Sequence, residues 1–387
     1  MSGKCFYILA GDISADLLAA RLMCAIRLDI LEPINWIGIG GEQMQKQGLE
    51  TSVPISSLSV IGILDGVTSY YRLLKIAKEQ IAVILAARPK MIFTVDTKHF
   101  SLKFAMLLRK EMDKVGWHVP IIQLVAPTIW AWGPWRAKKF ENAFDKILCL
   151  FPFEPSYFNS AKTDAVFVGH PYAYLSKQSG GQTLNDNSSR NSNLVGLLTG
   201  SRRTEIVDNF ADILEAAELF LERFPNCQFI LPTTSNLEKD IRHLLKNSQL
   251  KAEVVVGVDA FRNCLLDISA AICVSGTATL QLCLHAIPAV TCYKTNPINF
   301  MLMKSFFKLK DPILPNILLQ TEVYSCFLQS KQTPYNLSSA LTQIYDNISL
   351  QKYKMKQHAK ELQSILVGQE DDFESSIAKA INITDLI

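Results

Sequence analysis

Several short stretches of this 387-residue chain place anion-binding or titratable side chains directly after runs of apolar residues. In "LLTGSRRTE" the apolar run stops at Gly200 and Ser201, the guanidiniums of Arg202 and Arg203 follow, and Glu205 opens a segment with helical spacing. A helix starting there presents unpaired backbone N–H groups and the positive end of its dipole. Ser201 adds a hydroxyl and Arg202 a bidentate fork, a combination suited to phosphate. An ordinary strand–turn–helix connection with two solvated arginines contains the same residues. "ICVSGTATLQ" repeats the arrangement with Ser275, Gly276 and Thr277, although Ser and Thr are also common helix caps. Two hydroxyl-rich helix starts in one half of the chain favour a nucleotide diphosphate. In "MIFTVDTKHF" Asp96 follows a β-branched run and His99 lies three residues on. This carboxylate reads as a cleft group, or as a turn cap. "ILAGDISAD" offers Asp12, Ser14 and Asp16. With Gly11 alone it lacks the GxGxxG of a dinucleotide loop and better frames an acceptor site. His170 in "GHP" reads equally as structural.

The elements that position these groups follow from periodicity. Short β-rich runs occur at 5–10, 35–40, 91–95, 120–125, 146–151 and 165–169, and again at 194–199, 227–232, 252–256, 270–274 and 289–293. Helix-period segments lie between them. The one after Arg203 carries Ile206, Phe210, Ile213, Leu214, Ala217, Phe220 and Phe224 on one face and stops at Pro225. Such alternation predicts parallel sheets covered on both faces, with ligands beyond the carboxyl ends of the strands. The polar, Gly/Ser/Asn-rich stretch 177–193 reads as a linker or long loop. The expected fold class is α/β with two Rossmann-like domains facing a cleft, and 387 residues suit two domains.

Composition excludes several classes. Lys plus Arg (39) nearly balances Asp plus Glu (36), so no nucleic-acid partner is expected. Nine scattered cysteines show no CxxC pair and no metal spacing, which reads as reduced, buried thiols in a cytoplasmic protein. The N-terminal apolar run ends at Gly11 and Asp12 rather than at a cleavage site, so no signal peptide is expected. No stretch approaches the roughly 18 apolar residues of a membrane span.

Taken in order, these pieces resemble the lipid-A-disaccharide synthase family. "GDISAD" (11–16), "SVIGI" (59–63), "VDTKHF" (95–100), "PTIWAW" (127–132), "FPFE" (151–154), "GHP" (169–171), "GSR" with Glu205, "SGTAT" (275–279) and Pro315–Asn316 match its motifs over roughly residues 5–330. The resemblance implies a GT-B fold. An acceptor and lipid domain would span 1–176, a linker 177–193 and a UDP-sugar domain 194–360, with the helices of 361–387 packing back toward the first domain. It implies inverting transfer of 2,3-diacylglucosamine from UDP-2,3-diacylglucosamine to the 6-hydroxyl of 2,3-diacylglucosamine 1-phosphate, with no metal and no cofactor. Asp96 matches the family's base. Arg202 would stabilise the departing diphosphate, and Gly200, Ser201, Glu205, Ser275, Gly276, Thr277, Gln281 and Asn316 would hold UDP. Asp12, Ser14, Asp16, His99, Trp130 and Trp132 would frame the acceptor. A two-tailed substrate implies a peripheral position on the cytoplasmic face of the inner membrane, reached through 59–90 or 130–144. Residues 59–90 read equally as an interfacial or a core helix. A homodimer is a family-level expectation.

The chain departs from the family at Asp12 (usually Glu), Ala15 (Gly), His99 (an acid), Tyr174 (Asp) and Gln281 (Glu). A neutral Gln281 would hold a ribose hydroxyl without charge assistance, weaker by about 1 kcal/mol. Alternative readings are a non-catalytic or substrate-shifted GT-B relative that binds lipid or UDP-sugar, and an enzyme like UDP-N-acetylglucosamine epimerase.

Overall fold

The computed structural model describes residues 4–30, 32–51, 53–58, 66–158, 161–178, 193–296, 300 and 312–382. "SVIGI" (59–63) and all of 177–193 except its end residues lie outside them, as do the side chains of His99 and Trp132. The chain divides into two compact units, Met1–Pro171 with Leu366–Ile387, and Tyr172–Ile365.

In the first unit the strands are β1 (Lys4–Ala10), β2 (Ile34–Ile39), β3 (Leu49–Thr51), β4 (Met91–Val95), β5 (Ile121–Leu124), β6 (Lys146–Cys149) and β7 (Asp164–Phe167). They form one sheet in the order β3-β2-β1-β4-β5-β6-β7. Every pairing is parallel. All residues of β4 and β5 are buried, as expected when helices cover both faces of a sheet. The helices are α1 (Ile13–Asp29), α2 (Glu42–Lys46), α3 (Gly66–Ala87), α4 (Lys98–Val115), α5 (Ile129–Trp132) and α6 (Ala137–Glu141); α7 (Pro171–Gln178) begins at the last residue of this stretch and its remaining residues belong to the second unit. The ambiguous segment 59–90 contributes α3, whose Ile76, Ala77, Ile81 and Ile84 enter the core with Phe104 and Leu108 of α4. Tyr71, near its start, stays 67% exposed.

The second unit repeats the scheme. Its strands are β8 (Leu194–Leu198), β9 (Gln228–Thr233), β10 (Ala252–Val256), β11 (Ala270–Val274), β12 (Ala289–Tyr293) and β13 (Cys326–Leu328). Their order is β10-β9-β8-β11-β12-β13, again all parallel. The helices are α8 (Arg203–Arg223), α9 (Glu238–Lys246), α10 (Val258–Asp267), α11 (Thr277–Leu284), α12 (Leu314–Leu319), α13 (Pro334–Asp346) and α14 (Ile348–Leu366). The apolar stripe of α8 packs on Val195, Leu197, Phe229 and Leu231. A last helix, α15 (Phe373–Ile381), belongs to the first unit and packs on α1, where Arg21 makes two hydrogen bonds to Glu374 at 2.5 and 2.8 Å.

The eleven strand runs read from the sequence all form strands. β3 and β13 were not expected. Each has three residues and lies at a sheet edge, too short for an apolar period to register.

Candidate active site

Each sheet reverses its winding once, between β1 and β4 in the first unit and between β8 and β11 in the second. In open parallel sheets the crevice for ligands lies beyond the strand ends at such a switch point. The four motif strand ends sit there: Asp12 follows β1, Asp96 follows β4, Gly200 follows β8 and Ser275 follows β11.

In the first unit the two switch-point loops touch. A Cβ on Gly11 would lie 2.1 Å from Cγ2 of Thr97, so only glycine lets the β1 loop approach the β4 turn. Asp12 caps α1, accepting from Ala15 N at 2.8 Å and from the Ser14 hydroxyl at 2.7 Å. Asp16 turns away from the loop and is 4% exposed. Its carboxylate collects the first amides of α2, accepting from Gly41 N (2.7 Å) and Met44 N (3.2 Å) at Oδ1 and from Gln43 N (2.9 Å) at Oδ2. Asp96 and Thr97 both have left-handed backbones, φ +52° and +39°. Each non-glycine residue held there costs roughly 1–2 kcal/mol, so the turn that carries the Asp96 carboxylate is held by its surroundings.

Trp130 donates from Nε1 to Oε1 of buried Glu154 at 3.3 Å, and Oε2 of Glu154 accepts from Leu150 N and Phe151 N. Around this bracket Phe151 stacks on Phe153 and on His170, at centroid distances of 5.7 and 5.6 Å. Burial among these rings pushes the His170 imidazole down to about 3, so it is neutral at ordinary pH. "PTIWAW", "FPFE" and "GHP" thus converge on one aromatic cluster.

In the second unit the turn after β8 already holds an oxyanion. Glu205 folds back so that Oε2 accepts from Ser201 N at 3.0 Å and Arg202 N at 3.2 Å, while Oε1 pairs with Arg202 Nη1 at 2.6 Å. Gly200 has φ +97°, and a Cβ there would lie 2.6 Å from Glu205 Oε2. Glycine is required on both counts. Arg202 is 76% exposed on its side chain and Glu205 12%. Arg203 leads away to Asp240.

The turn after β11 differs. Ser275 donates its hydroxyl to Pro312 O, and Thr279 closes back on Gly276 O. No side chain caps α11, Gly276 has open space where a Cβ would lie, and Thr277 is exposed. The backbone of Gly276 is extended, so this glycine serves access rather than conformation. Gln281 is buried on α11, and its backbone carbonyl accepts from His285. Asn316 is committed to its own loop, accepting from Val323 N and Tyr324 N and donating to Tyr324 O. Among the described residues no cluster of His, Cys, Asp and Glu is arranged to hold a metal ion.

Two parallel-sheet units, each with loops gathered at its switch point, define the GT-B class of nucleotide-sugar enzymes. Solved structures of that class match nearly the whole chain. An S. aureus MnaA–UDP co-structure aligns with TM-score 0.63 at 12% identity, covering 100% of this chain and 98% of that one. Acinetobacter baumannii MurG aligns with TM-score 0.53 at 12% identity, covering 94% and 99%. A model of the family described as lipid-A-disaccharide synthetase matches residues 6–381. The lipid-A-disaccharide synthase of Paramagnetospirillum magneticum is 32% identical over 343 residues, 87% of this chain and 86% of that protein. That of Neisseria meningitidis serogroup B is 32% identical over 345 residues, 87% of each. The chain belongs to the lipid-A-disaccharide synthase family and is a glycosyltransferase.

Proposed function

We propose that this enzyme transfers 2,3-diacylglucosamine from UDP-2,3-diacylglucosamine to the 6-hydroxyl of 2,3-diacylglucosamine 1-phosphate, with inversion and release of UDP. The observation that carries the reading is the α8 turn. Two backbone N–H groups and the Arg202 guanidinium already bind a carboxylate there, so the turn is built for an anionic oxygen. A diphosphate takes the place of the Glu205 carboxylate on those amides, and Glu205 retains its hold on Arg202. The uncapped start of α11 and the open space at Gly276 support a second contact, from Ser275, Gly276 and Thr277, with Gln281 on a ribose hydroxyl. Asn316 contributes by shaping the loop to Tyr324.

In an inverting transfer a base takes the proton of the attacking hydroxyl as the sugar passes through an oxocarbenium-like state, by analogy with inverting hydrolases. Asp96 is that base. UDP is a good leaving group, and fixed donors at the α8 turn stabilise the charge that develops on it. Asp12 and Ser14, beside the Asp96 turn, frame the acceptor. The enzyme rests on the cytoplasmic face of the inner membrane through exposed aromatic groups. Tyr71 and Trp135, 67% and 69% exposed, support this, and no described helix is long and apolar enough to cross a bilayer.

UDP release from UDP-2,3-diacylglucosamine in detergent micelles tests the reading, with and without 2,3-diacylglucosamine 1-phosphate. Acceptor-dependent release, abolished by Asp96→Asn and by Arg202→Ala, is the expected result. A folded wild type that releases no UDP with this pair would overturn it.

A further inference from the structure

A polar network built on the buried side chains of Thr94, Ser101 and Gln123 lies directly beneath the Asp96 turn. Gln123 sits in β5, 1% exposed, paired in register with Thr94 of β4. Its Oε1 accepts from the Thr94 hydroxyl at 2.5 Å. Its Nε2 donates to Asp96 O at 3.0 Å and also lies 3.0 Å from Leu124 O and 3.2 Å from Val125 O. Asp96 O accepts a second bond from Ser101 Oγ at 3.1 Å, and that hydroxyl is 2.8 Å from Thr97 Oγ1. Three carbonyls on one side fix which end of the amide is nitrogen, so Thr94 must be a donor to the other end. The strand ends tied together in this way are those with left-handed residues: Asp96, Thr97 and Val125, φ +52°, +39° and +77°. An amide inside an otherwise apolar strand destabilises a core unless all its bonds are made. Here they converge on the two turns whose backbones are least able to hold themselves.

We infer that Gln123 is a positioning residue for Asp96, with Thr94 holding the Gln123 amide in orientation; the inference rests on Asp96 being the base. Gln123 holds the Asp96 carbonyl. That carbonyl orients the Asp96–Thr97 peptide, and the peptide sets the direction of the Asp96 Cβ and carboxylate. Without the amide donor the turn relaxes toward ordinary φ and the carboxylate moves. A shift of about 1 Å at a reacting group costs on the order of 100-fold in rate.

The test compares Gln123→Met, which keeps length without hydrogen bonding, with Thr94→Val and Thr94→Ser. Asp96→Asn is the reference, and all are assayed in the micellar UDP-release reaction. Gln123→Met is expected to lower kcat by about 30- to 100-fold, with KM for both substrates within about twofold. Thr94→Val should lower kcat about fivefold, and Thr94→Ser should restore it. The double variant Gln123→Met/Asp96→Asn should be no slower than Asp96→Asn alone, because an amide that acts through a carboxylate has nothing left to position. Lost folded enzyme would instead multiply the two defects. The inference is overturned by a Gln123→Met enzyme within about threefold of wild type, by multiplied defects, or by Thr94→Ser as slow as Thr94→Val. If Gln123→Met does not fold, the Thr94 pair decides by the same criterion. An Asp96→Asn enzyme with full activity would refute the base itself, a different result from any of these.

Discussion

Replacing Asp16 by Asn separates two roles that one carboxylate in a substrate loop could play. Its two oxygens accept three backbone N–H groups at the start of α2. Asparagine has one acceptor oxygen. With that oxygen toward Gly41 and Met44, its NH2 group faces the N–H of Gln43, donor against donor. A lost charge-assisted bond is worth about 1.5–3 kcal/mol, and a buried amide left unpaired adds to it, so a loss of about 3 kcal/mol is expected. The five residues of α2 cannot hold a helix by themselves, and nothing local replaces the lost bonds. All five tryptophans lie in the first unit, so tryptophan fluorescence during urea unfolding follows that unit alone. With a slope of about 2–3 kcal/mol/M, the midpoint should fall by roughly 1–1.5 M. Below that range, KM for the acceptor should stay within about twofold. An unchanged midpoint with a large rise in acceptor KM would refute the reasoning and place the carboxylate on the substrate.

Other perturbations have equally definite outcomes. Gly200→Ala forces a Cβ against Glu205 at positive φ and should weaken UDP binding about tenfold by calorimetry; unchanged affinity would show that the turn makes no close approach. His170 is held neutral down to about pH 3 by burial, whereas the unfolded chain takes up that proton near pH 6.5. Stability from this group is therefore complete above pH 6.5 and falls by about 1.4 kcal/mol per unit as the pH drops toward 3. His170→Phe should flatten that slope in urea midpoints measured at pH 7 and 5, and parallel profiles would count against it. Burial raises the thiols of Cys149, Cys273, Cys283 and Cys292, and that of Cys264 to about 12, so a thiol reagent at pH 8 should leave these five unlabelled until the protein unfolds. Trp135→Ala with Tyr71→Ala should lower partition onto anionic vesicles at least about tenfold, read by sedimentation, with UDP affinity unchanged.

Strand–helix alternation carried most of the fold, because fully buried parallel strands are apolar runs that stop abruptly. The edge strands β3 and β13 escaped, since three residues hold no period. The turns after β1, β4, β8 and β11 were visible as Gly, Ser and Asp following apolar runs, but the partners of each side chain were not. Asp12 and Asp16 look alike in "GDISAD", yet one caps its own helix and the other caps a helix 25 residues on. Asn316 likewise belongs to its own loop. Gln123 left one trace, a single amide inside "PIIQLV", and a polar residue within a buried strand signals a hydrogen-bonded network whose members only the register identifies. In the sequence Glu154 stands out only as the last residue of "FPFE". Its bracket to Trp130 depends on α5 meeting the turn after β6, which only the fold brings together.

The attachment of α15 to α1 also orders events during synthesis. Arg21 waits for Glu374 and for the Phe373 ring, whose centroid lies 4.7 Å from its guanidinium, and Lys146 Nζ waits for the carbonyl of Ala380. All of Tyr172–Ile365 must leave the ribosome between them, which at 5–20 residues per second takes roughly 10–40 s. Throughout that interval the α1 face that receives α15 is uncovered on the nascent chain. The second unit is therefore free to complete first, and the earliest-made unit closes last.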